Sequence, residues 1–260
     1  MIDSQRLETI CREAGDMAMR RWPGDGHAVE SWDKEPGSPV SQADLEVDAF
    51  LRRELGALLP SAGWLSEETA DSEQRLDCDL IWLVDPIDGT RDFIRGRNGW
   101  AVSVALVSAG RPLIGSLVAP ARGEVWTAVA GKGAWRNGSR LRASKRQDLP
   151  GARVPADSLM REDKDLAMVD KPNSIALRVA MVGADEADLV ATLRWGYEWD
   201  IAAAALIARE AGAAISDAFG HTLAYNKRDP RAFGLLVSAP GIHGAAVERL
   251  ADRAAKYSVR

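Results

Sequence analysis

The chain has 260 residues, of which 46% are hydrophobic and 27% are charged. This composition is typical of a globular protein and excludes a disordered or collagen-like one. A formal net charge of −5 disfavours a nucleic-acid polymer as partner, because such binding usually requires a basic face. The only two cysteines, Cys11 and Cys78, form no C-x-x-C pair, and no apolar run is long enough to span a membrane. We therefore expect a cytoplasmic protein with free thiols and no membrane contact.

Two helices and a connecting segment are predicted at the start of the chain. Apolar residues at helical spacing predict the first helix over residues 2–21. The Pro- and Gly-rich segment 23–39 is typical of a surface loop or hairpin. A second helix opens at Ser41 and ends before Pro60. Its predicted inward-facing residues are Leu45, Phe50, Leu51, Leu55 and Leu58.

A run of strands follows. Residues 81–84 form a short apolar segment that stops at Asp85-Pro86, which is typical of a buried strand running into a loop. Segments 100–107, 113–119 and 124–130 are predicted strands with short turns between them. Asn137-Gly138 predicts a hairpin turn. Strands that follow directly on strands indicate an antiparallel meander.

The second part of the chain mixes helices and strands. Residues 151–173 are polar, and we place a boundary between two lobes near residue 150. Helices are predicted over 174–183, 200–211 and 241–256, with Gly212 ending the second of them. Residues 214–219 and 234–238 are predicted strands.

The most informative segment is Asp85-Pro86-Ile87-Asp88-Gly89-Thr90. Hard cations such as Mg²⁺ prefer oxygen ligands, so Asp85, the Ile87 carbonyl and Asp88 together form a candidate cation site. Two exposed acids in an Asx-type turn would give the same pattern. D-x-x-D alone therefore does not decide between these interpretations.

Two further acidic positions have ordinary explanations of their own. Glu67-Glu68 follows an apparent strand and could be a solvated pair at a turn. Asp200 begins a predicted helix and could be a plain N-cap. Asp44 stands three residues after Ser41, which matches a variant capping box with Asp in place of Glu. Lys34, in the loop before that helix, could lean toward the site, although a solvated lysine is the favoured interpretation.

Together these segments resemble the inositol monophosphatase superfamily. The resemblance rests on W-L-S-E-E, W-L-V-D-P-I-D-G-T-R-D-F and E-W-D-I-A-A-A, and on the strand and hairpin at residues 131–138. It runs from about residue 38 to residue 239. It implies a two-lobed layered α/β/α/β/α sandwich whose first lobe has a largely antiparallel sheet. Residues 1–150 would form the N-terminal α+β lobe, and residues 151–260 the C-terminal α/β lobe.

The resemblance also implies a magnesium-dependent phosphatase with two or three Mg²⁺ ions per active site. Thr90 matches the threonine that helps to activate the attacking water, and Asp44 matches its acidic partner. The Gly89 and Thr90 amides would bind phosphate oxygens. The implied metal ligands are Glu67, Asp85, the Ile87 carbonyl, Asp88 and Asp200, with Glu68 supporting a possible third ion through water.

Features outside the metal positions point to the substrate. Residues 38–44 and 174–178 resemble segments of the family's bacterial 3'(2'),5'-bisphosphate nucleotidases. Ser174 and Arg178 are the implied substrate contacts, with Arg178 meeting a second phosphate, although Arg178 could also be a plain surface arginine. The expected substrate is 3'-phosphoadenosine 5'-phosphate. Asn173 and the Asn98-Gly99-Trp100 run depart from the nucleotidase pattern.

Alternatives remain open at this point. One is an inositol-1-monophosphatase or another small sugar or amino-alcohol phosphate phosphatase. A different class is a non-catalytic binding protein on the same fold, which predicts loss of a metal ligand or of the Asp44/Thr90 pair. Trp22, Trp32 and Trp100 are candidates to stack on a base. A homodimer is expected from the family resemblance and from the prevalence of two-fold assemblies.

Overall fold

A computed structural model describes residues 3–24, 29–35 and 38–258 of the chain. The helices are α1 (Ser4–Met19), α2 (Gln42–Leu58), α3 (Thr90–Ile94), α4 (Ile175–Gly183), α5 (Glu198–Glu210) and α6 (His243–Ser258). The strands before residue 150 are β1 (Ser31–Glu35), β2 (Ser38–Ser41), β3 (Gly63–Ser66), β4 (Leu80–Asp88), β5 (Ala101–Ser108), β6 (Arg111–Ala119), β7 (Glu124–Val129), β8 (Gly133–Arg136) and β9 (Ser139–Arg140). The later strands are β10 (Arg153–Pro155), β11 (Ala167–Val169), β12 (Leu189–Tyr197), β13 (Ala214–Ser216) and β14 (Arg231–Ser238).

These elements stack in five layers. Helices α1 and α2 cover one face of a seven-stranded sheet, and α4 and α5 cover its other face. A three-stranded sheet lies beyond α4 and α5, and α6 covers its outer face. This order is the predicted α/β/α/β/α sandwich. The division into lobes at residue 150 stays a prediction, because the largest apolar cluster contains residues from both sides of it.

The seven-stranded sheet is an antiparallel meander from β4 to β9, as predicted, with β3 added in parallel beside β4. Strand β5 shows why this sheet is covered on both faces. Its side chains alternate between two apolar clusters: Ala105 and Val107 pack toward α5, and Val104 and Leu106 pack toward α1 and α2. The two-residue period of a strand thus becomes a sheet buried between two helical layers.

Helix α5 is the central layer between the two sheets. Its four consecutive alanines, Ala202 to Ala205, have no exposed surface, so this part of the helix is buried all round. The three-stranded sheet beside it has the order β12–β14–β13 and is fully antiparallel. No helix in the described part of the chain is long and apolar enough to cross a bilayer.

Several predicted elements needed correction. Leu45 is 37% exposed instead of inward-facing, because the buried stripe of α2 runs at four-residue spacing through Ala43, Val47, Leu51 and Leu55. The predicted strand over 214–219 stops at Ser216, because the Asp217 carboxylate accepts backbone hydrogen bonds from Phe219 and His221 and turns the chain. Strand β12 was not predicted at all. The predicted hairpin over 23–39 is present as β1 and β2, although residues 25–28 and 36–37 lie outside the described residues.

Candidate active site

The parallel pair β3–β4 determines where the acidic residues meet. Ser66 pairs with Val84, and the Glu67 backbone N–H continues the ladder by donating to the Val84 carbonyl at 3.2 Å. The carboxyl ends of parallel strands meet at the same sheet edge. Glu67 therefore lies beside Asp85 without any long loop.

The end of β4 departs from the predicted strand-to-loop transition. The strand continues to Asp88, and between Asp85 and Asp88 its register against β5 slips by one residue. Pro86 stands inside this bulge, where it removes one backbone donor from the ladder. The bulge changes the direction of the chain between the two acids.

Four carboxylates gather at this point and are called the acid cluster below: Glu67, Asp85, Asp88 and Asp200. Asp200 comes from α5, where it is the third residue and not the first, and its carboxylate accepts the Tyr197 N–H at 3.0 Å. Burial raises the pKa of Asp85 well above its usual range, and the charges of the other three members raise it further. Burial, followed by the charges of Asp88 and Glu67, likewise raises the pKa of Asp200.

Asp88 is partly satisfied by the amino end of α4. Its carboxylate accepts hydrogen bonds from the Ser174 hydroxyl at 2.5 Å and the Ala176 N–H at 2.6 Å. Burial raises the pKa of Asp88 to about 6 in spite of these donors. Ser174, predicted to contact substrate, thus contacts a predicted metal ligand and also caps α4 through the Leu177 N–H.

Asp44 and Thr90 lie together beside the cluster. The Thr90 hydroxyl is 3.2 Å from the Asp44 carboxylate and 3.1 Å from the Ile87 carbonyl. It can therefore donate its one hydrogen bond to either acceptor. Asp44 also accepts hydrogen bonds from the Ser41 N–H and hydroxyl, at 2.8 and 2.6 Å. The capping contact and the contact with Thr90 are both present, and burial raises the pKa of Asp44 to about 6.

Gly89 makes the tight turn between the acids and Thr90 possible. Its φ is +98°, and a Cβ there would lie 2.7 Å from the Gly99 carbonyl oxygen and 2.9 Å from the Ser174 nitrogen. Only glycine fits both the left-handed backbone and this close approach. Glycine therefore allows α4 and the 99–100 segment to pack directly on the turn.

Lys34 leans toward the site, which was the less favoured of its two interpretations, and Asp48 contributes contacts that were not predicted. The Lys34 ammonium is not a free solvated group: it lies 3.1 Å from Glu67 and 2.6 Å from Glu68. Burial raises the pKa of Glu68 to about 7 even beside this lysine. Buried Asp48, one turn after Asp44 on α2, accepts hydrogen bonds from the hydroxyls of the two residues that flank Glu67-Glu68, Ser66 and Thr69.

Two arginines lie on the α4 and β12 side of the cluster. Arg178 donates to the carbonyls of Ser174 and Asn173, at 3.2 and 3.1 Å, and its charge offsets part of the rise that burial causes in the pKa of Asp88. Arg194, on β12, likewise offsets part of the rise in the pKa of Asp200. Arg194 was missed because β12 was missed; an arginine six residues before Asp200 was the available signal. Trp100 is fully buried against Phe93 and cannot stack on a ligand.

The donors fit a hard cation. The cluster offers carboxylate oxygens and the Ile87 carbonyl, which is the chemistry that Mg²⁺ prefers. Burial raises the pKa of Asp85, Asp88 and Asp200, and a bound cation would favour the ionised form of each. Among the described residues, no three acidic, histidine or cysteine side chains are arranged as a ready metal site. The carboxylates of Glu67, Asp88 and Asp200 each accept a hydrogen bond from a protein donor.

Comparisons with known proteins identify the family and the fold. The model of the inositol monophosphatase family matches residues 4–258. The 3'(2'),5'-bisphosphate nucleotidase CysQ of Salmonella typhimurium is 32% identical over 237 residues, covering 86% of this chain and 95% of that protein. A fructose-1,6-bisphosphatase/inositol-1-monophosphatase of Thermotoga maritima is 30% identical, covering 81% and 83%. The solved structure of Thermotoga maritima IMPase superposes with a TM-score of 0.83 at 27% identity, covering 96% of this chain and 97% of that one.

Proposed function

The chain belongs to the inositol monophosphatase family and is a phosphatase of phosphate monoesters, and we propose that it is a Mg²⁺-dependent 3'(2'),5'-bisphosphate nucleotidase. It would convert 3'-phosphoadenosine 5'-phosphate and water into AMP and phosphate. The observation that carries the chemistry is the buried acid cluster beside the Asp44/Thr90 pair. A bound cation would neutralise the like charges of the buried cluster. The Asp44/Thr90 pair could accept a proton from a water molecule beside it.

Glu67, Asp85, the Ile87 carbonyl, Asp88 and Asp200 would hold the metal, with Glu68 as a further candidate. When bound, Mg²⁺ supplies Lewis-acid chemistry: it lowers the pKa of water and stabilises negative charge on phosphate oxygens.

The chain's own contribution to water activation is the Asp44/Thr90 pair. When the Thr90 hydroxyl donates its hydrogen bond to Asp44, the hydroxyl oxygen remains free to accept a hydrogen bond from water. Asp44 must be ionised to accept that proton, and the Ser41 donors favour the ionised form. The pair then orients the water and provides a route for its proton.

The substrate preference is supported by the arrangement of positive charge. Arg178 lies close enough to Asp88, and Arg194 close enough to Asp200, to influence the pKa of that carboxylate, and the two arginines also influence each other. Two guanidinium groups beside a phosphate-cleaving centre suit a ligand that carries a second phosphate. The 32% identity to a bisphosphate nucleotidase supports the same substrate.

The second candidate is an inositol-1-monophosphatase. It is favoured by the relative from Thermotoga maritima, at 30% identity. The acid cluster and the Asp44/Thr90 pair serve both substrates equally, so only the residues around them can distinguish the two. A non-catalytic role is disfavoured, because every predicted ligand and both members of the pair are retained.

The test compares phosphate release from 3'-phosphoadenosine 5'-phosphate and from inositol 1-phosphate, each with Mg²⁺. We expect a kcat/KM at least about 100-fold higher for the nucleotide, equivalent to about 2.7 kcal/mol. The variants Arg178→Gln and Arg194→Gln should reduce this ratio, and Arg12→Gln, on the exposed side of α1, should not. A preference for the inositol ester would overturn the substrate. Release that is independent of metal would overturn the chemistry.

A further inference from the structure

We propose that Arg75 and Glu198 act as positioning residues that hold Asp200 in the acid cluster. They lie at the two ends of a hydrogen-bond chain, called the latch below, which joins residues near β3 to the start of α5 through the loop 225–230. The inference rests on the proposed function, because the consequence of the latch is tighter binding of the cation.

The acid cluster has a structural problem that the latch addresses. Asp85 and Asp88 lie on β4 and Glu67 directly follows the adjacent β3, whereas Asp200 comes from a helix more than 100 residues later. Asp200 therefore joins the other three carboxylates only if the start of α5 is held in place against β3 and β4.

Arg75 is the first end of the latch. It lies in the 3₁₀ turn Glu73–Asp77 and is only 2% exposed. Its guanidinium makes two bonds to Asp71, at 2.7 and 2.9 Å, and then donates to Asn226 Oδ1 at 2.6 Å and to the Lys227 carbonyl at 2.9 Å. The planar guanidinium thus pairs with Asp71 and also donates to a loop 151 residues away in sequence.

The backbone of Arg75 is held as firmly as its side chain. A Cβ on Gly63, the first residue of β3, would lie 3.1 and 3.2 Å from the Cβ and Cα of Arg75. The 3₁₀ turn therefore packs directly on the strand whose other end leads into Glu67. The position of Arg75 is thus tied to that of Glu67 through four residues of paired strand.

Glu198 is the second end of the latch. It is 1% exposed, and its carboxylate accepts the backbone N–H groups of Asn226, at 2.5 Å, and Lys227, at 3.2 Å. Its own N–H donates to the Pro230 carbonyl at 3.0 Å. Asn226 has a φ of +59°, which aims two successive N–H groups at one carboxylate. Three hydrogen bonds thus join the loop to the first residue of α5.

Glu198 transmits this restraint to Asp200 through the helix. The two residues are the first and third of α5 and share its first turn. A helical turn is stiff, so fixing the first residue also fixes the direction of the third. Neither Arg75 nor Glu198 needs to touch the cation; each acts through Asp200.

The test measures cation binding directly on the full chain, by calorimetric titration with Mg²⁺ and by the electron paramagnetic resonance signal of free Mn²⁺. The variants are Glu198→Gln and Arg75→Lys. The matched control is Glu210→Gln, at the other end of α5, where the carboxylate also accepts two backbone N–H groups, those of Gly131 and Gly133, at 2.9 and 2.8 Å.

We expect Kd for the cation to rise about 10-fold or more in Glu198→Gln and in Arg75→Lys, as for other residues that orient metal ligands. Glu210→Gln should stay within about twofold of wild type, even where its melting temperature falls equally. Unchanged affinity in a folded Glu198→Gln or Arg75→Lys, or an equal loss in Glu210→Gln, would overturn the latch. If the wild type bound neither cation, the proposed function itself would fail, and the latch with it.

Discussion

Replacing Thr90 by valine tests the water-activating pair with little change in side-chain volume. The substitution removes the hydroxyl that lies 3.2 Å from Asp44. Asp44 keeps its two donors from Ser41, so the carboxylate should stay in place. The backbone N–H of residue 90 is also kept, so phosphate binding should be little affected.

The magnitude follows from the role assigned to the pair. Positioned proton transfer contributes about 10²- to 10⁴-fold to rate. Because the threonine shares this role with Asp44, we expect kcat to fall about 10²- to 10³-fold, or about 2.7–4 kcal/mol in activation free energy. KM and the affinity for Mg²⁺ should stay within about threefold of wild type. The kcat of the double variant Thr90→Val/Asp44→Asn should be little lower than that of the less active single variant, because the two residues act as a unit.

The assay is steady-state phosphate release with Mg²⁺, together with calorimetric Mg²⁺ binding to the same samples. Thr9→Val is the control, since that hydroxyl donates only to the Gln5 carbonyl within α1. A kcat for Thr90→Val within threefold of wild type, with normal Mg²⁺ binding, would refute the assignment. Fully additive losses in the double variant would show that the two residues do not act together.

Three further predictions concern charge. Asp48→Asn leaves two hydroxyls without their ionised acceptor and should lower the free energy of unfolding by about 1–3 kcal/mol; an unchanged urea midpoint would contradict this. Burial alone would raise the pKa of Asp188, but hydrogen bonds from Arg153 outweigh it and hold that pKa at about 2. This depressed pKa stabilises the fold by about 2 kcal/mol above pH 4, and the benefit is lost as pH falls toward 2. The free energy of unfolding of Asp188→Asn should therefore approach that of wild type near pH 2.5. A difference in unfolding free energy that stays constant with pH would argue against this. Lys34→Gln removes the ammonium beside Glu68 and should tighten Mg²⁺ binding about 3- to 10-fold by calorimetry; weaker binding would show that the lysine supports the site.

The sequence predicted the parts of the site that local pattern determines. Glu67 directly follows β3, as the apparent strand end predicted, whereas Asp85 lies inside β4 and not in a loop after it. The cap at Ser41 was predicted from spacing alone. The family resemblance brought Asp200 and Thr90 to the same place, which no local pattern could do, since both contacts join distant segments.

The errors have a common cause in tertiary packing. A solvated position was favoured for Lys34 over one that leans toward the site, because nothing in the sequence showed that the β1–β2 hairpin places it against two acids. Strand β12 was missed because its outer half is exposed and its register is broken between Thr192 and Trp195, which hides the two-residue period. Arg194 was lost with that strand. Trp100 was offered as a stacking surface, yet packing against Phe93 buries it.

The apolar cluster shared by the seven-stranded sheet, α4, α5 and the three-stranded sheet has a consequence for cooperativity. Its side chains come from both parts of the chain, for example Leu83 from β4 and Leu206 from α5. A second apolar cluster, between the seven-stranded sheet and α1 and α2, is by contrast built from residues 7–125 alone. Residues 1–150 could therefore keep one core on their own, but the face of the sheet that packs on α5 would be exposed. Because that shared cluster couples the two parts, thermal unfolding of the full chain should be a single transition.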